Sequence, residues 1–400
     1  MLAKKDANFD VLELFRDKKL VKTCAPMVRY SKLQFRNLVK LYDCDLAFTP
    51  MILADSFRLS DKARRNEFTT NSLDAPLIAQ FAANAPRDFV AAARLAAPFC
   101  DGADLNCGCP QRWAKDRQLG CEMLKRPESI CDIIKQCRNR IAKPFTVSVK
   151  MRLLNDDRQT VEVCRRLERA GVSFLTVHGR TSSQLVGEIN REALKLAREN
   201  CDVPVIANGG ATSLEDCIEL SEYTGCRGIM VANGILSNPT MFSGSSRTTI
   251  DCVQNWLDIC YNSTISLDNY ERERRKSVVG AIKEKPFNLT FQVFHHHLVF
   301  MLEKLLPRNR RRVFNNLKTF SEVLEFLQDH FHIKPRLFEL DLFLKYNNIT
   351  TDYADIDTSC LDNSEIREGH GKFFTDKINE SNDDDDVDCC GWSNIFLENG

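Results

Sequence analysis

The stretch Asp104-Leu105-Asn106-Cys107-Gly108-Cys109-Pro110 ends a short apolar run with an amide, a glycine and a thiol held before a proline. A residue before proline is pushed toward extended backbone, so Cys109 has a restricted conformation. Gly108 lets the chain turn with no side chain in the way. Such a sequence places one reactive thiol at the rim of a pocket, where it can deliver a proton. Other residues able to bind or react stand at the ends of similar runs: Met27, Gln80, Asn106, Lys150, His178, Arg180, Asn208 and Asn233. A lone Gln or Asn in such a place is commonly a loop hydrogen-bonder. Nine such positions in one series are hard to assign to loops.

The elements that must position them are eight apolar runs, at residues 22–28, 46–52, 76–82, 102–108, 145–153, 174–180, 204–210 and 228–234. Their starts lie roughly 25 to 45 residues apart, the room a loop, a crossover helix and a return require. Residues 160–170 place Val161, Cys164 and Leu167 at helical spacing, with Gly171 as a stop. Ser213 is an N-cap for a helix over 214–221. Apolar strands alternating with helices predict a parallel sheet covered on both faces. Eight such units over about 230 residues predict an α/β chain closed into a (β/α)8 TIM barrel, with the nine positions at its C-terminal rim.

After Pro239 the barrel pattern stops, and residues 252–345 read as mostly helical. One helix is expected over 291–306, ended by Pro307, and another over 315–330. Arg308, Arg310, Arg311 and Arg312 lie between them as candidate phosphate contacts. His295, His296 and His297 point in three directions on a helix, so one or two should face solvent or a partner, and no metal site is expected. The organisation read from the sequence is an N-terminal extension over 1–21, a barrel over 22–245, a helical domain over 250–345 and an acidic, disordered tail over 350–400.

The overall charge of zero conceals an asymmetry. Fourteen of the 55 acidic residues and three of the 55 basic ones lie in 351–400, which leaves 52 basic against 41 acidic in the first 350 residues. A basic body suggests a polyanionic partner. The seventeen cysteines lack paired zinc spacing, and no secretory signal or membrane-length apolar stretch is present. Reduced thiols in the cytoplasm, or the nucleus, are the expected state.

The rim residues suit one kind of cofactor. Gly209, Gly210, Ala232 and Gly234 after the last two strands allow backbone N–H groups to approach a phosphate. Lys150 can put a cation beside an electron-rich ring, while Gln80 and Asn106 can hydrogen-bond a ring amide edge. Together with His178 they suit flavin mononucleotide lying across the barrel mouth, with Cys109 facing it. Acidic residues are sparse at the rim, which disfavours a two-carboxylate hydrolase. No GxGxxG follows a strand, which disfavours a Rossmann dinucleotide site.

In order along the chain, Ala25-Pro26-Met27-Val28, Leu105–Pro110, Val149-Lys150-Met151-Arg152-Leu153, Val177-His178-Gly179-Arg180-Thr181, Ala207-Asn208-Gly209-Gly210 and Asn238-Pro239 resemble the tRNA-dihydrouridine synthases, over about residues 22 to 331. Gly108-Cys109-Pro110-Gln111 and the FHHHL run at 294–298 are most similar to the eukaryotic subfamily four. The resemblance implies FMN held by Pro26, Met27, Val28, Gln80, Lys150, His178, Asn208, Gly209, Gly210, Ala232 and Asn233. It implies reduction of the flavin by NADPH or NADH, hydride transfer to C6 of a D-loop uridine (positions 20a and 20b), and protonation of C5 by Cys109. The residues set to meet the RNA are Asn106, Lys115, Arg152, Arg180, Arg310 and Arg311, in a chain expected to act as a monomer.

One position departs from the pattern. The family usually has Arg or Glu where Asn233 stands. Losing a charged partner to the phosphate would cost about 1.5–3 kcal/mol, a site weaker by roughly 10- to 150-fold. Two other readings stay open on the residues alone. One is a flavin barrel acting on a small molecule, which would not need the basic helical region. The other is an RNA-binding homologue that no longer catalyses, against which Cys109, Lys150 and His178 argue.

Overall fold

A computed structural model describes residues 9–276 and 289–347. Eight parallel strands close on themselves: β1 Val21–Cys24, β2 Leu46–Phe48, β3 Leu77–Ala82, β4 Gly102–Cys107, β5 Thr146–Leu153, β6 Phe174–Thr181, β7 Val205–Asn208 and β8 Gly228–Val231. The closing ladder joins β1 to β8, with Cys24 opposite Val231. A two-residue strand, Ile52–Leu53, extends the β2 side and pairs with Phe81 and Ala82. The TIM barrel expected from the eight runs is the fold observed, with helices on its outer face and more helices after it.

Several strands end earlier than the apolar runs suggest, β1 and β8 among them. β1 stops at Cys24 because the chain turns at Met27, whose carbonyl accepts the Tyr30 and Ser31 amides and the Ser31 hydroxyl. β8 stops at Val231, and Asn233 opens the short helix Asn233–Ser237. Residues paired in a parallel ladder share a face, and the register sets Gln80 beside Asp104, Asp104 beside Ser148, Asn106 beside Lys150, and His178 beside Asn208. These are the inward positions of the upper barrel. The N-terminal end is apolar instead: Phe15, on the helix Leu12–Asp17, packs on Phe174, which meets Phe48.

The expected helices form with small shifts of boundary. Asp157–Arg169 ends before Gly171, whose φ of +99° needs a glycine. Ser213 and Asp216 form a capping box for Leu214–Thr224. The helix Leu33–Lys40 differs from an ordinary outer barrel helix: Leu33 through Val39 are all buried. The helix Ile250–Asn262 covers it, with Gln34 Nε2 donating to Ser263 Oγ at 3.3 Å and Asn255 Nδ2 to Tyr42 Oη at 2.8 Å. Within this layer Arg36 forms a buried ion pair with Asp74, Nη2 to Oδ2 at 2.6 Å.

Beyond Pro239 the helices are Ile250–Asn262, Leu267–Lys276, Phe291–Leu302, Arg308–Asn315, Phe320–Phe331 and Leu340–Asn347. The arginine cluster expected in a connection is itself helical, with Pro307 as its N-cap. The histidines also differ from expectation. His295 and His297 are buried, His295 Nε2 lying 2.9 Å from the Phe314 carbonyl and His297 Nε2 3.1 Å from the Tyr30 carbonyl. His296 is half-buried, its Nδ1 3.1 Å from Tyr30 Oη. They face the loop after β1 and the helix Arg308–Asn315, which a reading of helical spacing alone could not foresee. One apolar cluster runs from the barrel into these helices, through Phe35, Trp256, Phe294 and Leu298. The acidic tail lies outside the described residues.

Candidate active site

Cys109 is half-buried at the end of β4, its loop held from three sides. Asn106 Oδ1 accepts the backbone N–H of Gly108 at 3.1 Å and of Cys109 at 2.9 Å. The Cys109 carbonyl accepts the Cys121 amide at 3.0 Å. Arg152 Nε donates to the Gly108 carbonyl at 3.0 Å. The same guanidinium reaches the carbonyls of Thr181 and Gln184 through Nη1, at 2.9 and 3.1 Å. Arg152, expected to meet substrate, is thus a buried tie between the thiol's loop and the loop after β6.

Sequence reasoning missed three residues of this site, Asp104, Ser148 and Gly120. Asn106 Nδ2 donates to Gln80 Oε1 at 2.9 Å, and Gln80 Nε2 donates to Asp104 Oδ2 at 2.8 Å. Ser148 donates to Asp104 Oδ1 at 2.6 Å. Burial pushes the Asp104 carboxyl up to about 6, against the hydrogen bonds from Ser148 and Gln80 and the charge of Lys150. The signal for Asp104 was present, since i, i+2 alternation puts it on the face of Asn106, one layer deeper. The fit of Gly120 is visible only once the 3₁₀ turn Gly120–Lys125 folds back on Cys109.

Around His178 the site is cationic. Burial, with Lys150, Arg152 and Arg180 nearby, pushes its ring down to about 2, so it is neutral. Arg180 Nη1 lies 3.4 Å from His178 Nε2, and its Nε donates to the Gly187 carbonyl at 2.9 Å. A neutral imidazole among cations suits hydrogen bonding to an anionic or carbonyl-rich ligand. Lys115 is half-buried on the helix Arg112–Asp116, beside the thiol's loop.

The loops after β7 and β8 approach each other closely. Gly209 and Gly210 have φ of +110° and +80°, and a Cβ on Gly209 would stand 3.0 Å from the His178 ring. A Cβ on Gly234 would come within 2.8 Å of the Ala211 carbonyl. Asn208 Nδ2 donates to the Met230 carbonyl at 2.8 Å and fixes the two strands. With no side chain on Gly209 or Gly210, an anion can approach the backbone here closely. Asn233 is exposed beside them, and Ala232 and Gly209 are half-buried. Pro26, Met27 and Val28 complete the rim from the β1 side. Arg310 is exposed and Arg311 half-buried on their own helix, where Arg311 Nη1 lies 3.9 Å from Glu303.

The buried imidazoles predict an acid limb to stability. His297 is pushed down to about 3, chiefly by burial. The unfolded imidazole takes a proton near pH 6.5, so each ring's contribution is full above that value and falls by about 1.4 kcal/mol per pH unit below it, down to the folded value. His297→Gln keeps an N–H for the Tyr30 carbonyl and should flatten the acid limb by that amount between pH 6 and 4. Urea denaturation across that range measures it. Asp104 acts oppositely: its contribution is full below about pH 3.8 and is lost as pH rises through about 6.

The dihydrouridine synthase (Dus) family matches residues 23–331. A human protein named tRNA-dihydrouridine(20a/20b) synthase [NAD(P)+]-like is 43% identical over 81% of this chain and 95% of its own length. A Schizosaccharomyces pombe tRNA-dihydrouridine(20a/20b) synthase [NAD(P)+] is 34% identical over 81% and 92%. A rat protein named tRNA-dihydrouridine(16/17) synthase [NAD(P)(+)]-like is 37% identical over 59% and 54%. A half-buried thiol on a barrel rim, glycines after the last two strands and this match along the barrel have one common reading: the chain belongs to the dihydrouridine synthase family.

Proposed function

We propose that the protein reduces the C5–C6 double bond of D-loop uridines in tRNA, at positions 20a and 20b, with FMN as its flavin and NAD(P)H as the reductant. The observation that carries the proposal is the placement of Cys109, its loop fixed by Asn106 and Arg152 on a cationic rim. The donor set fits FMN. Gly209 and Gly210 present amides for a phosphate, and Lys150 lies on the face of β5 beside Asn106. Gln80 and Asn106 each keep one amide N–H beyond the bond they donate within the pair and to Asp104. When bound, the flavin supplies the electrons for the double bond, drawn in turn from NAD(P)H.

Cys109 holds the proton for C5 at Sγ. Asn106 and Arg152 keep that atom in place, while Lys150, Arg152 and Arg180 attract the polyanion. The uracil must leave the stacked RNA to reach this depth. The helical region, with Arg310 and Arg311 on one short helix, grips the tRNA by phosphate and shape. The protein works as a monomer in the cytoplasm or nucleus.

Purified protein should be yellow, bleach with NADPH, and recover its colour anaerobically on adding tRNA that lacks dihydrouridine. A protein that bleaches but is reoxidised only by oxygen would overturn the substrate. A second result concerns Asn233: Asn233→Arg should tighten flavin binding about tenfold, the value of one charge-assisted hydrogen bond. Flavin fluorescence titration measures it, and unchanged affinity would assign the phosphate to backbone amides alone.

A further inference from the structure

Packing alone does not call for a carboxylate in the interior of a barrel. Asp104 is fully buried on the inward face of β4, and a buried carboxylate is costly unless its oxygens are satisfied. Oδ1 takes the Ser148 hydroxyl and Oδ2 the Gln80 amide. An ionised carboxylate can only accept, and that one-way character passes up the barrel. With Nε2 turned down to Asp104, Gln80 presents Oε1 to Asn106. With Nδ2 committed to Gln80, Asn106 presents Oδ1 to the amides of Gly108 and Cys109. Reversing either side-chain amide would set donor against donor at the next link.

We propose that Asp104 is a positioning residue for Cys109, fixing the direction of the Gln80–Asn106 amide pair and through it the loop that carries the thiol. Only the catalytic consequence rests on the proposed function; the geometry can be tested without it. The orientation has a second effect. The one N–H left on each of Gln80 and Asn106 is then available to a ligand at the barrel mouth.

The test is cysteine alkylation in the full chain, without added flavin, read residue by residue by mass spectrometry. Cys131, half-buried on the outer helix Pro127–Arg140, is the internal reference. In Asp104→Leu the amide pair loses its acceptor, and Cys109 should react with iodoacetamide at least fivefold faster relative to Cys131. Asp104→Asn should restore the rate to within twofold, because its carbonyl can accept from Gln80 while its amide donates to Ser148. A merely structural carboxylate would not show that selectivity or that rescue. Should Asp104→Leu fail to fold, Asp104→Ser gives a hydroxyl free to donate or accept, and a smaller rise at Cys109 is expected. No rise at Cys109, a rise shared by Cys131, or no rescue by Asp104→Asn overturns the proposal. With tRNA and NADPH, kcat should fall about tenfold in Asp104→Leu and KM for tRNA should move less than twofold. The alkylation pattern without any uridine reduction by the unaltered protein would sink the proposed function and leave the positioning role standing.

Discussion

Cys109→Ala should keep its flavin, still be bleached by NADPH, and fail to make dihydrouridine. The loop around residue 109 is held by backbone groups. Its N–H donates to Asn106, its carbonyl accepts from Cys121, and Gly108 accepts from Arg152. Alanine retains all of these, so only Sγ is lost. A positioned general acid contributes about 10²- to 10⁴-fold, and reoxidation of the reduced protein by tRNA should slow by at least that lower figure. Stopped-flow absorbance and nucleoside mass spectrometry read the two half-reactions separately. Dihydrouridine formation at the normal rate would remove Cys109 as the proton donor.

Gly120→Ala should damage the same step without touching the thiol. Gly120 has φ of +62°, and a Cβ there would lie 2.4 Å from the Cys109 carbonyl oxygen and 2.9 Å from Cys109 Cβ. Neither neighbour is the free end of a flexible side chain, and the carbonyl is already engaged by Cys121 at 3.0 Å. The loop must move. Displacements near 1 Å at a reacting group cost about 10²-fold, and the left-handed backbone adds about 1–3 kcal/mol of instability. A kcat near that of the unaltered protein would show that Gly120 does not set the thiol's place.

The fold was legible because each strand announces itself twice, by an apolar run and by the polar residue that ends it. Cys109, Lys150 and His178 stand out for that reason. Asp104 and Ser148 did not, because inward polar residues in mid-strand are masked by the apolar neighbours on either side. Gly120 carried no local signal at all, since its need for glycine is imposed by a residue eleven positions earlier. The histidine run misled for a related reason. Helical spacing gives directions around an axis, and only the packed loop after β1 decides which of those directions is wet.

His297 stacks on Phe35 at 4.5 Å and packs against Trp256 at 4.7 Å, while His296 meets Tyr30. Tyr30 follows Met27 by three residues and is tied to it through the backbone. The wall of the barrel beside β1 is therefore finished by a helix from much later in the chain. The two regions are not interchangeable modules. A chain cut near residue 245 would strip the cover from Phe35, Leu38 and Val39 and release the Met27 turn. The contacts of His296 and His297 with Tyr30 tie Phe291–Leu302 to the Met27 turn, so a displacement of that helix would disturb the rim. Grafting this barrel onto a different helical partner would require rebuilding the Phe35–His297–Trp256 stack along with it.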